Sequence, residues 1–183
     1  DKNITIPVII SGIINAQKLG ESGLIMEYAE YLESLTPQSG LTEVIQDDHQ
    51  TMNGFLYYKR VEQYLHKAIE EDLFDVYYQP VYSTRERRFI TVEALSRLHH
   101  PELGWIAPDV FIQIAEKNHM IEQITDLQFC RVCRFLKEHG KLMEQLLNVK
   151  VNLSSLDLMR TDCSSHFIRI MDKYEIPHEW IQF

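Results

Sequence analysis

With 27 acidic against 18 basic residues, this 183-residue chain carries a formal net charge of −9. That charge argues against binding of a nucleic-acid polymer, because contact with a phosphate backbone needs a concentrated basic surface. An apolar content of 45% is enough for a globular core. The longest apolar run, residues 6–14, contains Pro7 and Gly12 and is far shorter than the roughly 20 residues of a membrane-spanning helix. We therefore expect no membrane contact from this segment.

The chain begins with Asp1 rather than Met and shows no secretory signal, so we expect a segment of a longer cytoplasmic protein, whose other parts could carry a membrane anchor. Its three cysteines, Cys130, Cys133 and Cys163, cannot form a disulfide framework and favour a reducing compartment. No second Cys or His pair follows Cys130-x-x-Cys133 at zinc spacing. Apolar neighbours at helical spacing predict instead that these cysteines pack in a core.

Hydrophobic periodicity and turn residues predict the helices and strands. In chain order they are a strand over residues 7–14, a helix over 22–35, a linker over 42–54, a helix over 55–73, strands over 75–82 and 89–98, a helix from Pro108, a helix over 120–139, a strand over 146–153, a helix from Ser164 or Ser165 to before Pro177, and the opening of a strand over 180–183. The short charged connection between the strands over 75–82 and 89–98 is typical of an antiparallel hairpin. Gly140 follows a helix where a left-handed C′ residue is common.

Polar side chains stand where three of these strands end. They are Gln79, then Glu93 with Arg97, then Asn152. The carboxyl ends of strands are where ligands collect in β/α barrels and open α/β sheets. Alternation along a strand places Glu93, Leu95 and Arg97 on one face, where they could bind a metal, a flat base and a phosphate.

Gln79 and Asn152 offer amide groups that suit hard cations or ligand edges. Taken singly, these residues favour a structural explanation: an ion pair between Glu93 and Arg97, and a turn-forming role for Asn152. The functional interpretation depends on their coming together. The neighbouring pairs His99-His100 and Ser154-Ser155 are not expected to carry chemistry, because adjacent strand residues face opposite ways and no nucleophile-elbow motif is present.

Six sequence blocks together resemble the EAL family of cyclic di-GMP phosphodiesterases. In order they are Tyr78-Gln79-Pro80-Val81, Glu93-Ala94-Leu95-Ser96-Arg97-Leu98, His100-Pro101-Glu102-Leu103-Gly104, Pro108-Asp109-Val110-Phe111-Ile112, Ala115-Glu116 and Val151-Asn152-Leu153-Ser154. A lone Glu-Ala-Leu means little, but six blocks in family order and spacing are specific. The resemblance covers roughly Leu65 to Phe183.

This resemblance implies an α/β chain that forms the first strands and helices of an incomplete (β/α) barrel, with an antiparallel first strand. It implies hydrolysis of cyclic di-GMP to linear pGpG at a two-metal site that binds Mg²⁺ or Mn²⁺ and is incomplete here. Carried over to this sequence, Glu93 is catalytic, Glu93 and Asn152 are metal ligands, and the residues expected to bind substrate are Gln79, Leu95, Arg97 and Pro108.

Other ligands of the family would lie beyond Phe183, and a complete barrel needs about 250 residues. We therefore expect this chain alone to be inactive. The alternative is a noncatalytic EAL-like module that binds cyclic di-GMP and signals through a partner. Unpaired strand edges of a partial barrel also predict a homodimer or a swapped assembly.

The N-terminal segment has a weaker resemblance, carried by residues 7–13 and Tyr28-Ala29-Glu30, to the end of a GGDEF diguanylate cyclase domain. It implies a GGDEF-like remnant over residues 1–53, a connecting helix over 54–74 and the EAL-type barrel over 75–183. The signature motif of that family is absent, so no cyclase activity is assigned. An unrelated strand–helix unit is the alternative.

Overall fold

The computed structural model describes residues 10–13, 19–20, 22–35, 44–46 and 48–183. These belong to two compact units, Asp1–Arg60 and Val61–Phe183. The elements are β1 (Ile10–Gly12), α1 (Ser22–Ser34), β2 (Val44–Gln46), α2 (His49–Glu70), β3 (Phe74–Ser83), β4 (Arg88–His100), β5 (Gly104–Ile106), α3 (Pro108–Lys117), α4 (Ile121–Glu138), β6 (Asn148–Val151), α5 (Ser155–Leu158), α6 (Cys163–Tyr174) and β7 (Ile181–Gln182), with short 3₁₀ helices at Gly140–Glu144 and His178–Trp180. The ends of the strand predicted over residues 7–14 lie outside the described residues.

The first unit pairs β1 with β2 in parallel and builds its core from one face of α1. Tyr28 and Leu32, four residues apart on α1, are fully buried and cluster with Phe55. The rings of Tyr28 and Phe55 lie 5.0 Å apart between centroids. Lys59 forms an ion pair with Glu27 at 2.6 Å. This packing confirms the amphipathic face predicted for the first helix.

The interpretation of residues 42–54 as a linker is wrong. Val44–Gln46 form β2, and α2 begins at His49. A reciprocal cap explains the early start, because the Thr51 N–H donates to Asp48 Oδ1 at 2.7 Å and the Asp48 N–H donates to Thr51 Oγ1 at 3.0 Å. The hydrogen bond from the Thr51 backbone is the main cause that lowers the pKa of Asp48. The stretch that resembles a linker in the sequence therefore contains a strand and the cap of a helix.

The second unit contains a five-stranded mixed sheet in the order β3-β4-β6-β7, with β5 paired to the end of β4. β3 and β4 form the predicted antiparallel hairpin. β4, β6 and β7 run parallel to one another. The sequence did not predict β5, which returns along β4 through a turn in which Gly104 has a φ of +73°, a conformation that favours glycine.

One face of this sheet is covered by helices and the other is open. The covered face packs Ala94, Val149 and Val151 with Phe129 of α4 and Phe167 of α6 in one buried cluster. On the open face Tyr77, which pairs with Leu95, is 51% exposed. The sheet therefore has a packed outer side and an uncovered side, as a partial barrel requires.

The three cysteines are free thiols, and Cys133 is fully buried in the core while Cys130 and Cys163 are partly buried. This confirms the packing prediction for Cys133 and for Cys163, which packs against the same core cluster. Burial raises the pKa of the Cys133 thiol to about 12, so this side chain behaves as a small apolar residue at neutral pH.

Gly140 does not take the left-handed conformation expected of it, since the glycines with positive φ among the described residues are Gly20 and Gly104. It begins a 3₁₀ helix instead. A Cβ at Gly140 would lie 3.2 Å from Cη2 of Trp180. The packing of this ring therefore favours a residue without a side chain at position 140.

Within the part of the chain that the structure describes, none of the helices combines the length and the apolar character needed to cross a bilayer.

Candidate active site at the strand ends

The register of the hairpin brings the predicted strand residues onto one face. Gln79 pairs with Glu93, and Tyr77 pairs with Leu95. Directly opposite residues in an antiparallel pair share a face, and Arg97 follows Leu95 by two residues. The side chains of Gln79, Glu93, Leu95 and Arg97 therefore belong to the open face of the sheet. Sequence reasoning missed that Tyr77 joins them.

Asn152 reaches the same place from β6. The parallel ladder between β4 and β6 pairs Glu93 with Lys150 and ends at Ala94 and Val151, so Asn152 follows the last paired residue. Its amide Nδ2 donates to Oε1 of Glu93 at 2.6 Å, across 59 residues of sequence. The structure thus brings the acid and the amide into direct contact.

A pocket of about 430 Å³ lies beside this contact. Four of the predicted residues, Leu95, Arg97, Pro108 and Asn152, are among those that line it. Its size falls within the range of roughly 300–1,000 Å³ typical of small-molecule sites. Asn152 is the residue that belongs both to the pocket and to the contact with Glu93.

Arg97 is held at the pocket by two neighbours. Its Nη1 donates to the Ser96 carbonyl oxygen at 2.9 Å, and its guanidinium carbon lies 5.7 Å from the centroid of the Tyr77 ring, within the reach of a cation–π contact. Among the ion pairs of the described residues, none joins Arg97 to Glu93. The structural alternative of an ion pair between them is therefore not what the structure shows.

The side chains of Glu93 and Asn152 are of the chemical types that bind a hard divalent cation. A carboxylate and an amide oxygen are ligands that Mg²⁺ and Mn²⁺ prefer, and a half-turn of the Asn152 amide would exchange its nitrogen for its oxygen beside Glu93. In the described residues there is no group of three or more His, Cys, Asp or Glu placed to hold an ion. The two side chains can therefore supply only part of a coordination shell.

Helix α4 contacts β4 and α5, the helix that follows Asn152, through polar residues that sequence reasoning missed. Gln128 Nε2 donates to the Ala94 carbonyl oxygen at 2.9 Å, and Thr125 Oγ1 donates to Asp157 Oδ2 at 2.9 Å. The available signal was weak: two polar residues three apart, inside a helix whose neighbouring positions Ile124 and Phe129 are apolar.

Comparison with known proteins agrees with this arrangement. Residues 62–183 match the model of the family described as EAL domain. The cyclic di-GMP phosphodiesterase NbdA of Pseudomonas aeruginosa is 35% identical over 101 residues, which are 55% of this chain and 13% of that protein. The probable cyclic di-GMP phosphodiesterase PdeD of Escherichia coli K12 is 36% identical over 81 residues, which are 44% of this chain and 15% of that protein.

A solved structure named as a complex of the PaMucR phosphodiesterase with c-di-GMP superposes with a TM-score of 0.62 at 26% identity, covering 67% of this chain and 49% of that one. The chain therefore spans a small part of these curated relatives and about half of the solved domain. The fold class expected from the sequence, an α/β chain of partial EAL-barrel type, is confirmed. Because the family model covers most of its length, the chain belongs to the EAL domain family.

Proposed function

We propose that this chain is part of a cyclic di-GMP phosphodiesterase, a bacterial signalling enzyme that hydrolyses cyclic di-GMP to linear pGpG. The observation that carries the proposal is the contact of Glu93 with Asn152 at the edge of a nucleotide-sized pocket. The names of the related proteins NbdA and PdeD support the same activity.

In this proposal three residues that line the pocket, together with Gln79 on the open face of the sheet, bind the two parts of the nucleotide. Arg97 and Gln79 contact the phosphate region, for which a planar guanidinium is well suited. Leu95 and Pro108 pack against a guanine base. Because the formal net charge of the chain is −9, a dianionic substrate would be repelled by the protein as a whole, and binding depends on Arg97 together with the metal ions.

Glu93 and Asn152 are the residues that would hold Mg²⁺ or Mn²⁺, with the remaining ligands supplied by a longer polypeptide. Such ions, when bound, neutralise phosphate charge and lower the pKa of a bound water. The protein side chains do the positioning: the Glu93 carboxylate supplies a fixed negative charge on β4, and Asn152 orients it from β6. We therefore assign the catalytic role to Glu93 as a metal ligand.

The isolated chain is proposed to be inactive. Two ligand side chains are far fewer than the roughly six oxygen ligands that hard cations take. The sheet is also open, with β3 and β7 at its edges, whereas a closed barrel has no edges. The alternative function is a noncatalytic module that binds cyclic di-GMP without hydrolysing it, and the metal ligands of the full-length protein discriminate between the two.

We also propose that residues 1–53 are the remnant of a GGDEF-like domain and that residues 54–74 connect it to the barrel, in a cytoplasmic protein. The support is the residue pattern of the N-terminal segment, its parallel β1–β2 pair and the helix α1 between these strands. α2 crosses from the first unit to the second, as a connecting helix would.

The test is hydrolysis of cyclic di-GMP by the full-length protein that carries this segment, assayed with Mg²⁺ or Mn²⁺. Glu93→Gln is expected to reduce turnover by more than about 100-fold, since loss of a ligand should cost at least as much as loss of an outer hydrogen-bond partner. Glu138→Gln, at the exposed end of α4, is the matched control and should be unaffected.

Full turnover by Glu93→Gln would contradict the assignment. Binding without hydrolysis by the wild-type protein would favour the noncatalytic module instead.

A further inference from the structure

Helix α4 carries two buried polar side chains on the face that packs against the sheet. Thr125 and Gln128 are 4% and 7% exposed and lie three residues apart, on the same side of the helix. Burying a polar side chain costs free energy unless it finds a hydrogen-bond partner. Gln128 finds its partner on β4 beside Glu93, and Thr125 finds its partner on α5, the helix that follows Asn152.

Gln128 contacts the first of these strands. Its Nε2 donates to the Ala94 carbonyl oxygen at 2.9 Å, and Ala94 directly follows Glu93. The hydrogen bond therefore fixes the Ala94–Leu95 peptide, one residue beyond the acid, relative to α4.

Thr125 contacts the turn that follows β6 through a buried carboxylate on α5. Asp157 Oδ2 accepts from Thr125 Oγ1 at 2.9 Å and from the Ser154 N–H at 2.9 Å. The Asp157 N–H in turn donates to Ser154 Oγ at 3.1 Å, which completes a capping box at the start of α5. Asp157 is fully buried, so this arrangement is shielded from competing water.

The turn that Asp157 holds determines where Asn152 lies. The β4–β6 ladder ends at Val151, so Asn152 has no cross-strand pairing of its own in that ladder. Ser154, two residues further on, is joined through Asp157 to Thr125 of α4 by hydrogen bonds. The position of the Asn152 amide beside Glu93 depends on that tie.

We infer that Thr125, Gln128 and Asp157 are positioning residues that fix the separation of Glu93 and Asn152 for binding of a divalent cation. The inference rests on the proposed function. The inference deepens the proposed function, because one turn of α4 then positions both candidate ligands. Gln128 holds β4 next to Glu93, and Thr125 acts through Asp157 on the turn after Asn152.

The test compares Thr125→Val, which keeps the shape of the side chain and removes its hydroxyl, with Thr125→Ser, which keeps the hydroxyl. Mn²⁺ affinity is measured by titration calorimetry on the full-length protein, together with its thermal midpoint. Thr125→Val is expected to weaken Mn²⁺ binding by about 10-fold or more, in the range found for outer hydrogen-bond partners of metal ligands. Thr125→Ser should stay within about twofold of wild type.

Gln128→Met gives a second, independent variant that removes the donor to Ala94 at similar volume and should also weaken Mn²⁺ binding. Met171→Val, in the core cluster on α6, is the control for a simple loss of stability: its thermal midpoint should fall while its Mn²⁺ affinity stays unchanged.

Wild-type Mn²⁺ affinity in both Thr125→Val and Gln128→Met would overturn the positioning role and leave the proposed function standing. Failure of the wild-type protein to bind Mn²⁺ at all would overturn the proposed function and the positioning role together.

Discussion

Arg97 combines charge, planarity and a fixed position at the pocket. Its guanidinium is held by the Ser96 carbonyl oxygen and by the Tyr77 ring. A lysine would keep the charge but lose the planar fork and the stacking contact. These contacts support the role in phosphate binding that the EAL resemblance implies.

We expect Arg97→Lys to weaken cyclic di-GMP binding by about 10-fold, because a paired guanidinium–phosphate contact is worth a few kcal/mol and a lysine retains part of it. The measurement is a calorimetric titration of the full-length protein. Arg169→Lys, on the exposed side of α6 with a side chain 62% exposed, is the matched control and should bind as wild type does. Equal affinity of the two variants for cyclic di-GMP would show that Arg97 does not bind the nucleotide.

The alternation of side chains along one strand was enough to predict that Glu93, Leu95 and Arg97 share a face. It was not enough to predict the contact of Glu93 with Asn152, because the pairing of β4 with β6 depends on packing between segments far apart in sequence. Thr125, Gln128 and Asp157 were missed for the same reason. Their role is visible only once α4 lies across the strand ends.

At the scale of elements, α3 ends in a Schellman motif that places a non-glycine residue in the left-handed conformation. The Met120 N–H donates to the Ala115 carbonyl oxygen at 2.7 Å and the His119 N–H donates to the Glu116 carbonyl oxygen at 3.2 Å. His119 has a φ of +55°, and Met120 is buried behind it. A side chain at that φ costs about 1 kcal/mol relative to glycine.

His119→Gly is therefore expected to raise the free energy of unfolding by about 1 kcal/mol, measured by urea denaturation. His139→Gly makes the matched comparison: His139 caps α4 with a φ of −123° and its ring packs against Phe135, so glycine there should lower stability. A fall in stability for His119→Gly would show that contacts of the imidazole outweigh the backbone cost.

Most helices and strands of the second unit could be predicted within a few residues. The hairpin of β3 and β4 is rich in β-branched and aromatic residues, and α3, α4 and α6 show clear amphipathic periodicity. The errors have local causes. Asp48 and Thr51 cap α2 inside a polar stretch, and β5 is too short to show a pattern.

At the scale of the whole molecule, the open sheet shapes what this chain can do alone. β3 is ten residues long and lies at one edge, while β7 lies at the other. Exposed strand edges favour pairing with another chain. The homodimer or swapped assembly therefore remains a prediction for the isolated chain, and a single monomeric species in sedimentation would contradict it.

Glu93, in the middle of β4, and Asn152, directly after β6, meet at one point. The proposed function requires a divalent cation to bind there. The most direct measurement is anomalous diffraction from crystals of the full-length protein grown with Mn²⁺ and cyclic di-GMP. We predict an anomalous peak within about 2.5 Å of both the Glu93 carboxylate and the Asn152 amide oxygen, with the nucleotide in the pocket lined by Leu95 and Arg97. Bound nucleotide with no peak at these side chains, or with the ion held elsewhere, would contradict the assignment.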